Sequence, residues 1–291
     1  MTSFIILHYK NLKDTIECIE SINKIDGDKS IIVVDNNSTT KKEQKNILKY
    51  TEDLILLKEN MGFAKGNNEG CKYAIKKYHP DFLCVINSDT IIEQKNFIDE
   101  INNLYKKYNF DILGPKILPE NSESCNPFKA YKNIFDVNKK INYTKKLIKI
   151  YSSPILRNLL IIYSKFKDIF RIKEKNTNGL KLETGVPLHG CALIFSKKYY
   201  EKFSDIFYPN TFLFHEEEFL YLRCKQYNLT SLYSPSIEIY HKEGQSVNKT
   251  FNNRKYDSLI FRNKEILKSL ELLKKEMKKN EKGNINNNTM L

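Results

Sequence analysis

The chain has 291 residues, enough for one large α/β domain or two small ones with ample core. Its 41% hydrophobic and 29% charged residues, with only 10 Gly and 8 Pro, exclude collagen-like and low-complexity classes and describe a soluble globular protein. The formal net charge of +13 favours an anionic partner, whether nucleic acid, phosphate-bearing substrate or anionic lipid, although a Lys- and Asn-rich composition accounts for it equally well.

Six cysteines show neither a CxxC pair nor disulfide-like spacing, so reduced thiols in a cytoplasmic protein are the simplest reading. The apolar run "FIILHY" opens the chain without a basic n-region or a small-residue cleavage site, which predicts a first strand rather than a signal peptide. No apolar run reaches the roughly 18 residues that cross a bilayer.

Along residues 3–120, short apolar runs alternate with helical periodicity. After "SFIILHY", the stretch "NLKDTIECIESINK" places Leu12, Ile16, Ile19 and Ile22 on one helical stripe, with Asn11 at the cap position. "SIIVVDNNS", "LILLKEN", "FLCVINSD" and "DILGPKI" read as further strands, and "GNNEGCKYAIKKYH" and "NFIDEINNLYKKY" as helices between them. Strands apolar on both faces predict a mostly parallel sheet covered by helices. Ligands gather at the carboxyl ends of such strands. Those ends read His8-Tyr9, Asp35-Asn36-Asn37-Ser38, Glu59-Asn60 and Asn87-Ser88-Asp89.

Residues 121–182 are Lys-rich with aromatics and show no strand alternation. Within them "SPILRNLLIIYSKFKDIFRIK" spaces Leu156, Leu159, Leu160, Tyr163 and Phe166 helically beside Arg157, Lys165 and Lys167. Such a helix either lies on an anionic membrane surface or packs on the domain with a solvated basic face. From residue 183 order resumes: "HGCALIFSK" as a strand, "KKYYEKFSDIF" as a helix, "HEEEFLYLRCKQYN" as an acidic helix start, and "SLYSPSIEIYHKEG" as a strand. The helix "YDSLIFRNKEILKSLELLKKEMKK" then precedes an Asn-rich tail expected to fray.

Candidate chemistry sits at the polar strand ends. Asp35 reads either as a turn or cap residue or as an acceptor for base N–H and ribose hydroxyls. "ENMGFAKGNNEG" lacks the dinucleotide and P-loop spacings, and "HYKNLKD" has no Gly, which argues against NAD. Asp89 caps the next helix, or serves as one carboxylate for a hard divalent cation completed by substrate phosphates. Glu216, Glu217 and Glu218 complement a helix dipole, or repel one another so that one becomes a general base. His241 ends a late strand, where it is either structural or a metal ligand. No nucleic-acid-binding module is recognisable.

In order along the chain, "IILHYKNLKDTIECIESI", "VVDNNS", "ENMGFAKGNNEG", "INSD", "HGCALIFSK", "FLFHEEEFLYLR" and "YHKEGQS" resemble the family 2 glycosyltransferases, particularly their bacterial rhamnosyltransferase-like branch. His8 and Lys10 depart from the family's opening wording, and Asn87 replaces the first Asp of its metal-binding D-x-D. The resemblance implies an α/β fold of GT-A type, with a Rossmann-like nucleotide-binding half and an acceptor-binding half. Residues 1–120 would bind the nucleotide-sugar, 121–182 form a variable basic insert, and 183–250 complete the same domain. Residues 251–280 would form the C-terminal helix and 281–291 a disordered tail. It further implies that Tyr9, Asp35, Asn60, Gly62, Asn67, Asn87, Ser88 and Asp89 line the donor site. Asp89 and His241 would bind Mg2+ or Mn2+, and Glu217 would be the base, with Glu216 or Glu218 as the alternative.

The implied activity is inverting transfer from a UDP- or dTDP-sugar to a glycan or lipid-linked hydroxyl in bacterial surface polysaccharide synthesis. The implied location is cytoplasmic, with peripheral attachment to the inner face of the membrane; oligomeric state stays open. A sugar nucleotidyltransferase, or a catalytically silent nucleotide- or glycan-binding relative, is the rival reading.

Overall fold

The apolar runs of the first half become parallel strands because consecutive residues bury on opposite faces of one sheet. The structure, a computed structural model, describes residues 1–119, 126–157, 181–242 and 254–288. Its elements begin β1 (Thr2–His8), α1 (Leu12–Asn23), β2 (Lys29–Asp35), α2 (Lys41–Ile47), β3 (Asp53–Leu56), α3 (Gly62–Tyr78) and β4 (Phe82–Asn87). They continue with β5 (Thr90–Ile91), α4 (Phe97–Tyr108), β6 (Ile112–Pro119), α5 (Ile134–Ser152), β7 (Glu183–Thr184) and β8 (Ala192–Ser196). The remaining elements are α6 (Lys197–Tyr200), α7 (Glu216–Gln226), β9 (Ser231–His241) and α8 (Lys255–Asn288).

Strands pair in the order β3-β2-β1-β4-β8-β6-β9-β5, with β7 on β9. The expected parallel arrangement covers β3-β2-β1-β4 and the β6–β9 pair. Strand β8 enters antiparallel between β4 and β6, and β5 and β7 run antiparallel to β9, so the sheet is mixed beyond β4. Phe4, Ile6, Val33, Cys84 and Ile86 face the helices α1 and α4, while Ile5, Ile32, Val34, Leu83 and Val85 face α3 and α7. Each such side chain is almost wholly buried and contributes about 1.5–3 kcal/mol by leaving water. Helix α3 lies close on the sheet because Gly70 has no Cβ; one would stand 2.7 Å from methyls of Ile5 and Val34.

Two compact units emerge. Met1–Ala130, Asn178–Phe212 and Glu216–Ser246 form the first, which holds the sheet. Tyr131–Thr177, Leu213–His215 and Val247–Leu291 form the second, in which α5 packs on α8. There α5 buries Val137, Ile141 and Thr144, and α8 buries Leu270 and Leu273. Asn133 caps α5 by accepting from Asp136 N at 3.0 Å. Helix α8 runs to Asn288, into the Asn-rich stretch read as a tail.

Three local expectations are corrected. The side-chain amide of Asn11 donates to Asp14 instead of accepting a helix N–H, so its side chain does not cap α1. Helix α3 starts at Gly62, four residues before the predicted position. The helix read over "KKYYEKFSDIF" is only the single turn α6, because Ile206 and Phe207 turn into the core. The freed backbone is satisfied by side chains. Asn68 bonds both N and O of Phe207, and Arg223 donates to the carbonyls of Asp205 and Ile206. Beyond residue 157, the predicted basic amphipathic helix lies outside the described residues, as does "EGQS" after Lys242.

Candidate active site

Register in the parallel half aligns the polar strand ends. His8 pairs with Asp35, and Leu7 pairs with Asn87, so Asp35, His8 and Asn87 share one edge of the sheet. Adjacent strands lie about 4.8 Å apart, which sets Asp35 roughly 10 Å from Asn87.

At the β2 end, Asp35 is buried and its carboxylate is fully engaged. Oδ1 accepts from Ser38 N at 2.9 Å and Ser38 Oγ at 3.0 Å; Oδ2 accepts from Thr39 Oγ1 at 2.6 Å and Thr39 N at 3.3 Å. The turn reading of this residue is therefore realised locally. The same loop meets the β1 end, where Lys10 N donates to Ser38 Oγ at 3.0 Å and the Lys10 ammonium sits 5.1 Å from the centre of the Tyr9 ring. Beside it, Asn36 accepts from Met61 N at 2.8 Å and donates to Gly62 O at 3.2 Å. Asn60 Oδ1 accepts from Gly62 N at 3.0 Å. Gly62 has φ +77°, and a Cβ there would lie 2.3 Å from Phe212 O, so only glycine fits. Asn67 is wholly buried in α3, with its amide donating to Phe63 O and its Oδ1 without a partner among the described residues.

His8 closes the edge from below. Thr15 Oγ1 donates to Asn11 O, so it accepts from His8 Nδ1 at 2.7 Å and fixes the Nδ1–H tautomer. Burial holds this imidazole below its ordinary pKa, against the opposing pull of Asp35 and Glu43.

At the β4 end, the turn Asn87-Ser88-Asp89 brings a buried carboxylate against the last residue of β9. His241 Nε2 stands 3.2 Å from Asp89 Oδ1, 152 residues apart in sequence, because β5 pairs Thr90 with His241. His241 Nδ1 is buried without a partner among the described residues. Lys242 N donates to Asp89 O at 3.0 Å, and Lys242 Nζ reaches Asp14 Oδ1 at 3.0 Å and also Glu17, tying the pair to α1. The turn is closed by Thr90 Oγ1, which donates to Asn87 O at 2.7 Å.

Three residues ahead of β8 join this pair to the acidic helix. Asn87 N donates to Cys191 O at 2.8 Å. A Cβ on Gly190 would lie 3.5 Å from Glu217 Oε2, and the His189 ring lies 6.3 Å from that of His241. Burial and the neighbouring His241 hold His189 down to about 4. Burial raises the Glu217 carboxyl above the ordinary glutamate value; repulsion within the acidic trio, the expected cause, is not what raises it. Glu216 and Glu218 are buried; Glu217 keeps a fraction of its side chain exposed although its carboxyl is surrounded by protein.

Asp89 Oδ1 and His241 Nε2, 3.2 Å apart, are an oxygen and a nitrogen donor close enough to share one divalent cation. Among the described residues no three His, Cys, Asp or Glu side chains converge on one metal position. A cation at Asp89 and His241 would thus need oxygens from a bound ligand.

The structure pairs Asp89 with His241, sets His241 beside His189 and Glu217 beside Gly190, and places Asp35, Tyr9, Asn60 and Gly62 along the adjoining sheet edge. His8 and Asn36, read from sequence only as polar strand ends, belong to this region, as do His189, Gly190 and Lys242, which were not singled out. The His-Gly pair directly before the strand "CALIFSK" was the available signal for His189 and Gly190.

Comparison with known proteins supplies the class. The sequence model of glycosyl transferase family 2 matches residues 3–203, and the chain belongs to this family. The acidic trio and His241 lie beyond that match. The chain is 29% identical over 119 residues to the low-salt glycan biosynthesis hexosyltransferase Agl10 of Haloferax volcanii, covering 40% of this chain and 36% of that protein. It thus spans about a third of the length of this curated relative. Among solved structures, S. aureus TarS 1–349 in complex with UDP superposes with a TM-score of 0.54 at 14% identity, over 90% of this chain and 64% of that one. GalNAc-T7 with UDP, GalNAc and Mn2+ superposes with a TM-score of 0.54 at 10% identity, over 85% and 45%. These likenesses show the GT-A fold. No helix among the described residues is long and apolar enough to cross a membrane.

Proposed function

We propose that this chain is an inverting, metal-dependent glycosyltransferase that moves a sugar from a UDP- or dTDP-linked donor to a hydroxyl of a glycan or lipid-linked acceptor in surface polysaccharide assembly. The observation that carries the reading is the meeting of Asp89 with His241, whose ring lies by His189, next to Gly190, where a Cβ would stand 3.5 Å from Glu217 Oε2. Support comes from the hexosyltransferase among its relatives and from structures sharing its fold that hold UDP, one of them with Mn2+. The rhamnosyltransferase-like branch remains part of this proposal, on the wording of the motifs alone.

In this reading Tyr9 and the loop held by Asp35 shape the base and ribose end of the site. Asn60, Gly62 and Asn67 shape the start of α3 beside the donor. Asn87, Ser88 and Asp89 form the turn under the diphosphate. Asp89 and His241 would hold Mn2+ or Mg2+, which when bound offsets charge on the departing diphosphate. Glu217 accepts the proton of the acceptor hydroxyl as that oxygen bonds to the anomeric carbon. The bond from that carbon to the diphosphate oxygen breaks, and the nucleoside diphosphate leaves. Attack from the face opposite the leaving group inverts the anomeric centre. A raised pKa makes Glu217 a stronger base than an ordinary carboxylate while it still ionises to act.

The test is a panel of nucleotide sugars scored for slow donor hydrolysis, with and without Mn2+, in the wild type and in E217Q. Metal-stimulated release of UDP or dTDP supports the reading. Release without metal dependence removes the Asp89–His241 role, and no release from any donor removes the activity.

A further inference from the structure

The second unit carries a surface with no residue assigned to the candidate active site. Residues 131–157 hold six Lys and one Arg against the single acid Asp136. Helix α5 turns Val137, Ile141 and Thr144 inward. Its opposite face spans about 120° of the helix circumference and carries Phe135, Lys139, Tyr143, Lys146 and Lys149. Phe135 is 74% exposed and Tyr143 53% exposed, and Ile155 in the turn that follows is 75% exposed. Three of the six exposed large hydrophobic residues among the described ones therefore fall within 21 consecutive positions, and they are the three most exposed.

Single exposed apolar residues are ordinary. Here they cluster on a basic helix face, where a merely solvated surface needs none. Of the lysines, Lys145 is paired with Glu271 at 3.3 Å and Lys140 lies over the Tyr143 ring. Lys139, Lys146 and Lys149 have no carboxylate partner among the described residues. Unpaired ammonium groups interleaved with aromatic rings complement an anionic bilayer, where the rings sit at headgroup level and the cations meet lipid phosphate.

We propose that the outward face of α5 docks on an anionic lipid surface, with Phe135 and Tyr143 inserted between headgroups and Lys139, Lys146 and Lys149 on the phosphates. None of these residues is among those assigned to the candidate active site, and the proposal does not depend on the donor or the acceptor.

The chain contains no Trp, so F135W and Y143W each create a sole indole reporter at an exposed position. The full-length variants are titrated with phosphatidylcholine vesicles, with and without phosphatidylglycerol, after circular dichroism confirms the fold. A blue shift, and quenching by brominated lipid, with anionic vesicles alone is the expected result. In the F135W background, K139Q/K146Q/K149Q should lower partition on the order of a hundred-fold, and added salt should weaken it further. No shift at either reporter overturns the proposal, as does an equal shift with neutral vesicles. A shift with single-stranded RNA and none with vesicles also overturns it, and would assign the face to a nucleic acid. Nucleotide-sugar hydrolysis on the same preparations reports separately on the proposed activity.

Discussion

At the end of β2, Asp35 has both carboxylate oxygens engaged by Ser38 and Thr39, whereas at the end of β4 Asp89 meets one imidazole nitrogen. A carboxylate offers about four acceptor sites. The first aspartate spends them on its own loop, whereas the side-chain partner of the second among the described residues is His241. Both sit at the polar end of an apolar run among small polar residues, so the two sequences look alike. The difference lies in what the next element does: after Asp35 the chain folds back to cap, while after Asp89 a two-residue strand carries it to β9 and to His241.

The largest effect that separates the two ends is expected at Glu217, next to the β4 side. E217Q should cut transfer by about 100-fold or more while leaving donor binding intact, since general-base help is worth at least that much. The same variant tests the burial of the group. A carboxyl raised in the folded state contributes stability below the ordinary glutamate pKa and loses it as pH rises through its folded value. Gln carries no charge to bury. E217Q should therefore match the wild type in acid and melt higher at neutral pH, at about 2–4 °C for each kcal/mol gained. Equal melting temperatures at both pH values would mean that the carboxyl is not raised. The acid limb of the wild-type rate should lie above the ordinary glutamate value of 4.5.

Next in size, D89N should remove the response to Mn2+ and lower donor affinity on the order of tenfold, because the hard oxygen ligand is lost. Isothermal titration of UDP with and without Mn2+ measures it; a retained Mn2+ response would place the cation elsewhere. D35N should act the other way round. Two of its four accepted bonds would meet an amide nitrogen, at a cost of about 1–3 kcal/mol in stability, with no change in the Mn2+ response. Thermal melts beside the same titration separate the two aspartates.

How much of this was legible in the sequence depends on how local each feature is. The strands β1 to β4, the helices α1, α3 and α4, and the polar strand ends follow from runs and periodicity within about 15 residues. The link of Asp89 to His241 spans 152 positions and was readable only through resemblance of the motifs "INSD" and "YHKEGQS" to a known family. Two-residue strands such as β5 and β7 have no pattern of their own, yet β5 makes that link. The segment after α6 looked helical because its apolar spacing is helical; Asn68 and Arg223, distant in sequence, supply the backbone bonds that let it unwind. The antiparallel entry of β8 is likewise invisible, since a buried strand is apolar on both faces in either direction.

Lys242 was passed over for the same reason, because its partners Asp14 and Glu17 lie at the other end of the chain. It is the part of the β4 end with no counterpart at β2, where the loop is held by its own residues. Lys242 lowers the Glu17 pKa through their hydrogen bond. A lowered carboxylate contributes stability above its unfolded pKa and loses it as pH falls through its folded value. K242M should therefore be less stable than the wild type at neutral pH, and the gap should close in acid. Glu17 is partly exposed, so the ion pair is worth about 1 kcal/mol or less and the melting temperature should fall by no more than about 2–4 °C. Donor affinity should stay unchanged, because Lys242 touches Asp89 only through the backbone N–H that methionine retains. A large loss of donor affinity in K242M would mean that its side chain does more than anchor the β9 end to α1, and that the two strand ends differ by a charge as well as by a turn.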